Sequence, residues 1–202
     1  GKLQIVDTPH SQASATKAVA LVREGQAELL MKGSLHTDEL MSAIVARDGG
    51  LRTGRRISHV FIMDVPTYHK VLIVTDGAIN IAPTLEDKVD ICQNAIDLAR
   101  SFGVDVPKVA ILAAVETVTS KMPATLDAAA LCKMAERKQI TGALLDGPLA
   151  FDNAISKGAA TTMMHLLGGK VRALVSEYYK GAAASYQIET PTAVAGVRGT
   201  EL

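Results

Sequence analysis

The chain has 202 residues, with 21 Lys and Arg against 21 Asp and Glu, so its formal net charge is zero. Hydrophobic residues make up 48% of it and aromatic residues only 3%. Without excess positive charge to neutralise phosphates, an electrostatically driven nucleic-acid binder is disfavoured. The apolar content argues against disorder, and no apolar run approaches the ~20 residues that a membrane helix needs. The length allows one α/β domain, alone or with a small appendage.

Apolar runs alternate with helical patterns along most of the chain, which predicts helices on both faces of a largely parallel sheet. Only five residues separate the β-rich runs 57–64 and 70–76, so an antiparallel hairpin is expected there and the sheet becomes mixed. Ile91, Ala95, Leu98 and Phe102 are expected on the apolar face of one long helix. The predicted strands are 3–6, 28–32, 57–64, 70–76, 108–114 and 142–145, and the predicted helices are 11–24, 38–46, 85–102 and 124–137.

The pattern changes near residue 157, where Gly-rich turns and short β-rich runs replace the helices. Turn residues every eight to twelve positions are typical of an all-β piece. This predicts an α/β core over 1–157 and a β-rich tail over 158–202. Cys92 and Cys132 lie in apolar helical patterns, which favours structural thiols in a reducing compartment, the cytoplasm. The initial Gly1 in place of Met predicts a processed or trimmed start.

A first candidate ligand loop runs from Met31 to Thr37, between a predicted strand and a predicted helix. Thr37 is expected to cap the helix, whose free amide groups would face an anion together with Lys32 and His36. An ordinary strand–turn–helix junction explains the same residues, and both interpretations stay open.

A second candidate loop spans 49–59, where Arg52, Arg55 and Arg56 stand among glycines just before a strand. Guanidinium groups bind phosphate with two hydrogen bonds, and glycines let backbone amides approach it. A solvated basic turn is the alternative. Ser58 and His59 do not form a nucleophile–base pair, because adjacent strand residues point to opposite faces.

Two acidic turns follow predicted strands. Asp76 to Asn80 combines a carboxylate, a glycine and an amide suited to orienting a polar ligand, and Asp146-Gly147-Pro148 is similar. Thr84 and Asp87 predict a capping box at the next helix. The histidines are too scattered for a zinc site and no nucleotide-binding glycine motif appears, so neither a metal nor a nucleotide cofactor is expected.

Residues 3–157 resemble phosphate acetyltransferases and, more closely, phosphate butyryltransferases. The matching stretches are MKGSLHTDELMSAI, GLRTGRRISHVF, VTDGAINIAPTLEDKVDI and the segment from VAILAAVETVTSKMPATLDA to LLDGPLAFDNAIS. The resemblance implies a three-layer α/β/α fold with a mixed sheet, similar to the isocitrate and isopropylmalate dehydrogenases, and a cleft between two domains. It also implies transfer of an acetyl or butyryl group between coenzyme A and inorganic phosphate, by direct attack of phosphate on the thioester carbonyl.

The same resemblance assigns roles to residues. Arg52 and Ser58 would act in catalysis by binding phosphate or the thioester oxygen. The cleft would be lined by Lys32, Gly33, His36, Thr37, Asp76 and Asn80, with Asp146, Gly147 and Pro148 as its floor. Acyl-CoA and phosphate would be substrates, with no cofactor or metal, no nucleic-acid or membrane partner, and a homodimer as the assembly.

The chain departs from this family after Ser156, since the family's closing Ser-Arg-Ala-Asp-Ser stretch is absent from the 202 residues. Residues 166–202 instead resemble the β-rich domain of FecR-type signalling proteins, through TPTAVAGVRGTEL at Thr190 to Leu202. The departure predicts an impaired enzyme. The alternative is a non-catalytic chimeric or truncated α/β scaffold with a protein-interaction tail.

Overall fold

The computed structural model describes residues 4–155. The chain divides into two units, Gly1–Arg55 and Arg56–Leu202, which are described separately. The predicted tail 158–202, its FecR-like stretch and the boundary before it lie outside the described residues. Within the described range, no helix is both long and apolar enough to cross a membrane.

The first unit is built on two packed helices, α1 (Ser11–Arg23) and α2 (Thr37–Ile44), close to the predicted helices. His10 caps α1 by accepting a hydrogen bond from the backbone N–H of Ala13 at Nδ1, 3.2 Å away. Ala15 and Val19 of α1 are fully buried, so this helix supplies the core of the unit.

The strands predicted at 3–6 and 28–32 are wrong for the residues that the structure describes, 4–6 and 28–32, which form no strand. Their apolar side chains are largely exposed, at 90% for Ile5, 78% for Leu29 and 89% for Met31. A strand needs a neighbour to satisfy its N–H and C=O groups, and an apolar run does not provide one.

The described part of the second unit, residues 56–155, contains two small sheets and three helices. A hairpin of β1 (Val60–Met63) and β2 (Leu72–Thr75) is antiparallel, as predicted, and β3 (Lys108–Leu112) pairs in parallel with β4 (Leu144–Leu149). The helices are α3 (Leu85–Ser101), α4 (Pro123–Glu136) and α5 (Phe151–Ile155). The protein is therefore a mixed α/β protein, but the described strands form two separate two-stranded sheets rather than the single mixed sheet expected.

The core of the second unit lies where α3 and α4 cover the parallel sheet. Cys92, Ile96, Leu131 and Ile140 are buried together there, against Val109, Ile111 and Leu145 of the strands. Full burial of an aliphatic side chain of this size stabilises a fold by about 1.5–3 kcal/mol. Phe102 was expected on this face but is 63% exposed, because α3 ends at Ser101 and Phe102 becomes its C-cap.

Polar side chains also attach α3 to its neighbours. Lys88 donates to Asp127 Oδ2 of α4 at 2.5 Å. Gln93 accepts from the backbone N–H of Thr141 at 2.9 Å and donates to its carbonyl at 3.1 Å, which ties α3 to the segment entering β4. Helix α3 is thereby bonded to both α4 and the segment that enters β4.

Candidate functional site

The hairpin brings two of the predicted loops to one end of the second unit. Val60 pairs with Thr75, so the chain entering β1 lies beside the chain leaving β2. Two bonds close this end: Thr75 Oγ1 donates to the carbonyl of His59 at 3.0 Å, and the Gly77 N–H donates to the same carbonyl at 3.2 Å. Residues 56–58 and 76–80, far apart in sequence, therefore meet.

Asp76 organises the turn that follows β2. Its Oδ1 accepts from the N–H groups of Ala78 and Ile79, both at 3.0 Å, and its Oδ2 accepts from the N–H of Asn80 at 3.2 Å and from the Asn80 side-chain amide. Burial by itself would raise the pKa of Asp76, but these donors outweigh it and hold the pKa below its ordinary value. Asp76 is thus an ionised structural anchor.

Asn80 extends this anchor to Arg56. Its Nδ2 donates to the carbonyl of Ile57 at 3.0 Å, and its Oδ1 accepts from Arg56 Nε at 2.8 Å. Arg56 Nη1 also pairs with Asp87 Oδ1 at 3.4 Å, while about half of the Arg56 side chain stays exposed. The guanidinium is consequently held along one edge and open to solvent on the other.

Helix α3 supports the same segment through three polar residues that sequence reasoning missed as site residues. Asp87 contacts the Arg56 guanidinium, Asp90 Oδ2 accepts from the Arg56 N–H at 2.8 Å, and Asn94 Nδ2 donates to the Arg56 carbonyl at 2.8 Å and to Ser58 Oγ at 3.0 Å. We call this group the Arg56 cluster: Arg56, Ser58, Asp76, Asn80, Asp87, Asp90 and Asn94.

The spacing of the three helix residues, i, i+3 and i+7, places them on one face of α3. The opposite face carries the apolar stripe that includes Cys92 and Ile96. A row of polar residues at helical spacing was the available signal, but such rows usually face solvent.

The Arg56 cluster carries charges of both signs. The carboxylates of Asp76, Asp87 and Asp90 accompany the single guanidinium of Arg56. The backbone N–H of Thr84 is the main cause that lowers the pKa of Asp87, and the Arg56 charge adds to it. The cluster can therefore donate directed hydrogen bonds to a carbonyl or phosphoryl oxygen.

The predicted loop of the first unit is arranged differently from expectation. His36, not Thr37, is the N-cap of α2, and Thr37 is the first helical residue. Glu39 Oε2 accepts from the His36 N–H at 3.3 Å and Oε1 accepts from Ser11 Oγ at 2.6 Å, so a carboxylate of the protein already occupies this helix N-terminus. Lys32 Nζ donates to the carbonyls of Gly33 at 3.3 Å and Leu35 at 3.0 Å.

An open cleft of about 490 Å³ lies beside this loop, within the first unit. Its lining consists of Ser11, Ser14, Ser34, Leu35, His36 and Glu39. Arg52 is exposed in the first unit, whereas Ser58 belongs to the second, so the two residues that the resemblance assigns to catalysis are described in separate units.

Asp146, Gly147 and Pro148 were expected in a turn after a strand that ends at 145. They lie inside β4 instead, because the parallel ladder continues past an irregularity and Leu149 still pairs with Leu112. An added Cβ at Gly147 would stand 2.8 Å from the carbonyl oxygen of Ile111, so the glycine permits close approach of the strands.

Other chemistry is disfavoured in the described part of the chain. Burial raises the pKa of both Cys92 and Cys132 to about 11, so neither thiol is a ready nucleophile. Within residues 4–155 no group of His, Cys, Asp and Glu side chains could hold a metal ion.

Comparison with known proteins identifies the class. The family described as "Phosphate acetyl/butaryl transferase" matches residues 3–175, and the chain belongs to this family. The chain is 67% identical over 160 residues to a phosphate acetyltransferase of Rhizobium meliloti, covering 79% of the chain and 51% of that protein. It is 43% identical over 157 residues to a phosphate butyryltransferase of Clostridium acetobutylicum, covering 78% and 52%. The chain thus spans about half the length of the curated relatives it matches.

Two solved structures of phosphotransacylases are also similar to this chain. A branched-chain phosphotransacylase from Enterococcus faecalis V583 superposes with a TM-score of 0.69 at 30% identity, covering 87% of this chain and 66% of that one. The EutD phosphotransacetylase from Staphylococcus aureus gives a TM-score of 0.56 at 24% identity, covering 74% and 46%, which supports the fold alone.

Proposed function

We propose that the protein is a phosphate acyltransferase that moves an acetyl or butyryl group between coenzyme A and inorganic phosphate. The observation that carries the proposal is the family match over residues 3–175. No metal or cofactor takes part; acyl-CoA and phosphate are the substrates. A homodimer is proposed as the assembly, from the family resemblance.

The chemistry needs positioned donors more than it needs a reactive side chain. A phosphate oxygen attacks the thioester carbonyl carbon, the carbonyl oxygen becomes an oxyanion, and the C–S bond then breaks to release the coenzyme A thiolate, which takes a proton from water. Donors aimed at the developing oxyanion lower this barrier. The Ser58 hydroxyl and the exposed edge of Arg56 are suited to that task, because Asn80 and Asn94 hold them.

The other residues that the resemblance assigned remain part of the proposal. Arg52 is proposed to bind phosphate, and the proposed substrate-binding residues are Lys32, Gly33, His36, Thr37, Asp76, Asn80, Asp146, Gly147 and Pro148. Asp76 and Gly147 would act indirectly, by holding the turn after β2 and the β3–β4 strand pair.

Acetyl is the acyl group we propose first. Identity to the phosphate acetyltransferases of Rhizobium meliloti and Rickettsia felis is 67% and 61%, above the 43% to the butyryltransferase of Clostridium acetobutylicum, although identity to the phosphate acetyltransferase of Thermotoga maritima is 42%. This ordering differs from the motif resemblance, which leaned towards the butyryltransferases.

The test is acyl transfer by the purified 202-residue polypeptide. The reaction of acetyl phosphate with coenzyme A is followed by the absorbance of the thioester product at 233 nm. Slow rates are measured with radiolabelled acetyl phosphate. Because the Ser-Arg-Ala-Asp-Ser stretch is absent from these residues, we expect transfer that is slow but above the protein-free rate, and faster with acetyl than with butyryl phosphate. Ser58→Ala should lower it by about 100-fold, as expected for one oxyanion donor. No transfer with either substrate would refute the proposal and favour a non-catalytic scaffold.

A further inference from the structure

The hydrogen bond between Asn94 and Ser58 has a definite direction. Asn94 Nδ2 carries two hydrogens, and the structure gives each a partner: the Arg56 carbonyl at 2.8 Å and Ser58 Oγ at 3.0 Å. A carboxamide nitrogen donates and cannot accept, so Ser58 Oγ is the acceptor in this contact. The hydroxyl proton of Ser58 must therefore point to another partner.

The orientation of the Asn94 amide follows from its surroundings. Turning the amide over would place its oxygen against the Arg56 carbonyl oxygen, which sets two acceptors together without a proton between them. The backbone carbonyl of Arg56 thus selects the side-chain rotamer that donates to Ser58. Since α3 is anchored by its buried apolar stripe, Asn94 is held in this position.

The proton of Ser58 is left available for substrate. Among the described residues of the second unit, no acceptor takes it, and Ser58 is only partly buried. The Ser58 oxygen already accepts a hydrogen bond while its proton has no acceptor among the described residues, so the hydroxyl is a neutral donor with a defined orientation. Such a donor suits a carbonyl oxygen that gains negative charge during the reaction.

We propose that Asn94 is a positioning residue that keeps the Ser58 hydroxyl as a hydrogen-bond donor to the carbonyl oxygen of the acyl substrate. The inference rests on the proposed phosphate acyltransferase function. Asn94 does not touch the substrate, and the Ser58 proton stays on Ser58 throughout; it stabilises the oxyanion while the bond from phosphate oxygen to carbon forms and the C–S bond breaks.

A double-mutant cycle tests this. Asn94→Leu, which keeps the side-chain size without adding charge, should lower kcat by about tenfold and leave the KM for coenzyme A within about twofold, since orientation contributes only part of one oxyanion donor. In a Ser58→Ala background the same change should have no further effect on kcat, because contacting residues that act through one group are not additive. Asn94→Ala serves as a second neutral variant that cannot overpack.

The matched control is Gln93→Leu, one residue earlier on α3. It loses two hydrogen bonds to Thr141 and should reduce stability while leaving kcat unchanged. Additive losses in the cycle, or an equal loss of kcat in Gln93→Leu, would overturn the positioning role and leave the proposed function intact. Absence of any transfer by the unsubstituted chain would instead refute the proposed function, and the positioning role of Asn94 with it.

Discussion

Gly147→Ala should destabilise the second unit through the contact between β3 and β4. The new Cβ would lie 2.7 Å from Ile111 Cβ, 2.8 Å from the Ile111 carbonyl oxygen and 3.3 Å from Ile111 Cα. Ordinary contact begins near 3.4 Å, so the two shortest distances fall short by 0.7 and 0.6 Å. Because two of the three atoms belong to the backbone, a side-chain rotation cannot relieve the clash and the strands must move apart.

The expected cost follows from two opposing effects. Overpacking a well-packed interior costs about 1–3 kcal/mol, and a backbone neighbour places Gly147 towards the upper end. Replacing Gly by Ala also restricts the unfolded chain, which returns about 0.4–1 kcal/mol. The net loss in the free energy of unfolding should be about 2 kcal/mol, which lowers the folded-to-unfolded ratio by roughly 30-fold.

Urea unfolding of the full chain, followed by far-UV circular dichroism, measures this loss, since the chain has no Trp to report by fluorescence. The midpoint should fall while the slope with urea stays constant. Gly54→Ala is the control, because a Cβ there meets nothing within 4 Å and the stability should change by less than about 0.5 kcal/mol. Equal stability of the two variants would refute the packing argument, and a Gly147→Ala protein that loses only activity would make Gly147 a cleft residue alone.

Three further outcomes are expected. Thr84→Ala removes a capping-box acceptor of α3 and should cost about 1 kcal/mol in urea unfolding, whereas exposed Thr67→Ala should not. Asp76 has a lowered pKa, so its stabilisation is complete above about pH 4 and is lost as the pH falls through its folded value. The stability gap between wild type and Asp76→Asn should therefore shrink below about pH 4; a constant gap would contradict this. With pKa values of about 11, Cys92 and Cys132 should react slowly with iodoacetamide at pH 8. The rate should rise about tenfold per pH unit up to pH 10, because the thiolate fraction rises by that factor. A rate that does not change with pH would contradict the raised pKa values.

The sequence predicted the elements that depend on interactions between residues close together in the chain. The capping pair of Thr84 and Asp87 marked the start of α3, and the five-residue gap after 64 predicted the antiparallel hairpin. The prediction of a strand at 28–32 was wrong because an apolar run shows only that a segment can pair, whereas its partner must come from elsewhere in the chain. The turn predicted at Asp146 to Pro148 was wrong for a similar reason, since pairing with β3 extends β4 through residues that favour turns.

The candidate site likewise contains residues that the sequence predicted and residues that only the structure revealed. Asp76 and Asn80 were predicted because their types and their places after a strand suit ligand binding, and Ser58 was predicted from the family resemblance alone. Asp90 and Asn94 were not, because a polar residue on a helix normally faces water, and nothing in its neighbours shows that a distant loop will cover it. Arg56 was counted as one of three basic residues, but its ion pair with Asp87 arises only after folding.

The sequence by itself determined the family of this protein, because family motifs are short runs whose order and spacing survive without knowledge of their contacts. It also determined most helices, since a helix forms its hydrogen bonds within its own segment. Only the tertiary structure decided which strands pair, and which amide directs the Ser58 hydroxyl. These depend on contacts between residues such as 58 and 94, whose closeness comes from packing α3 against the hairpin and not from any pattern along the chain.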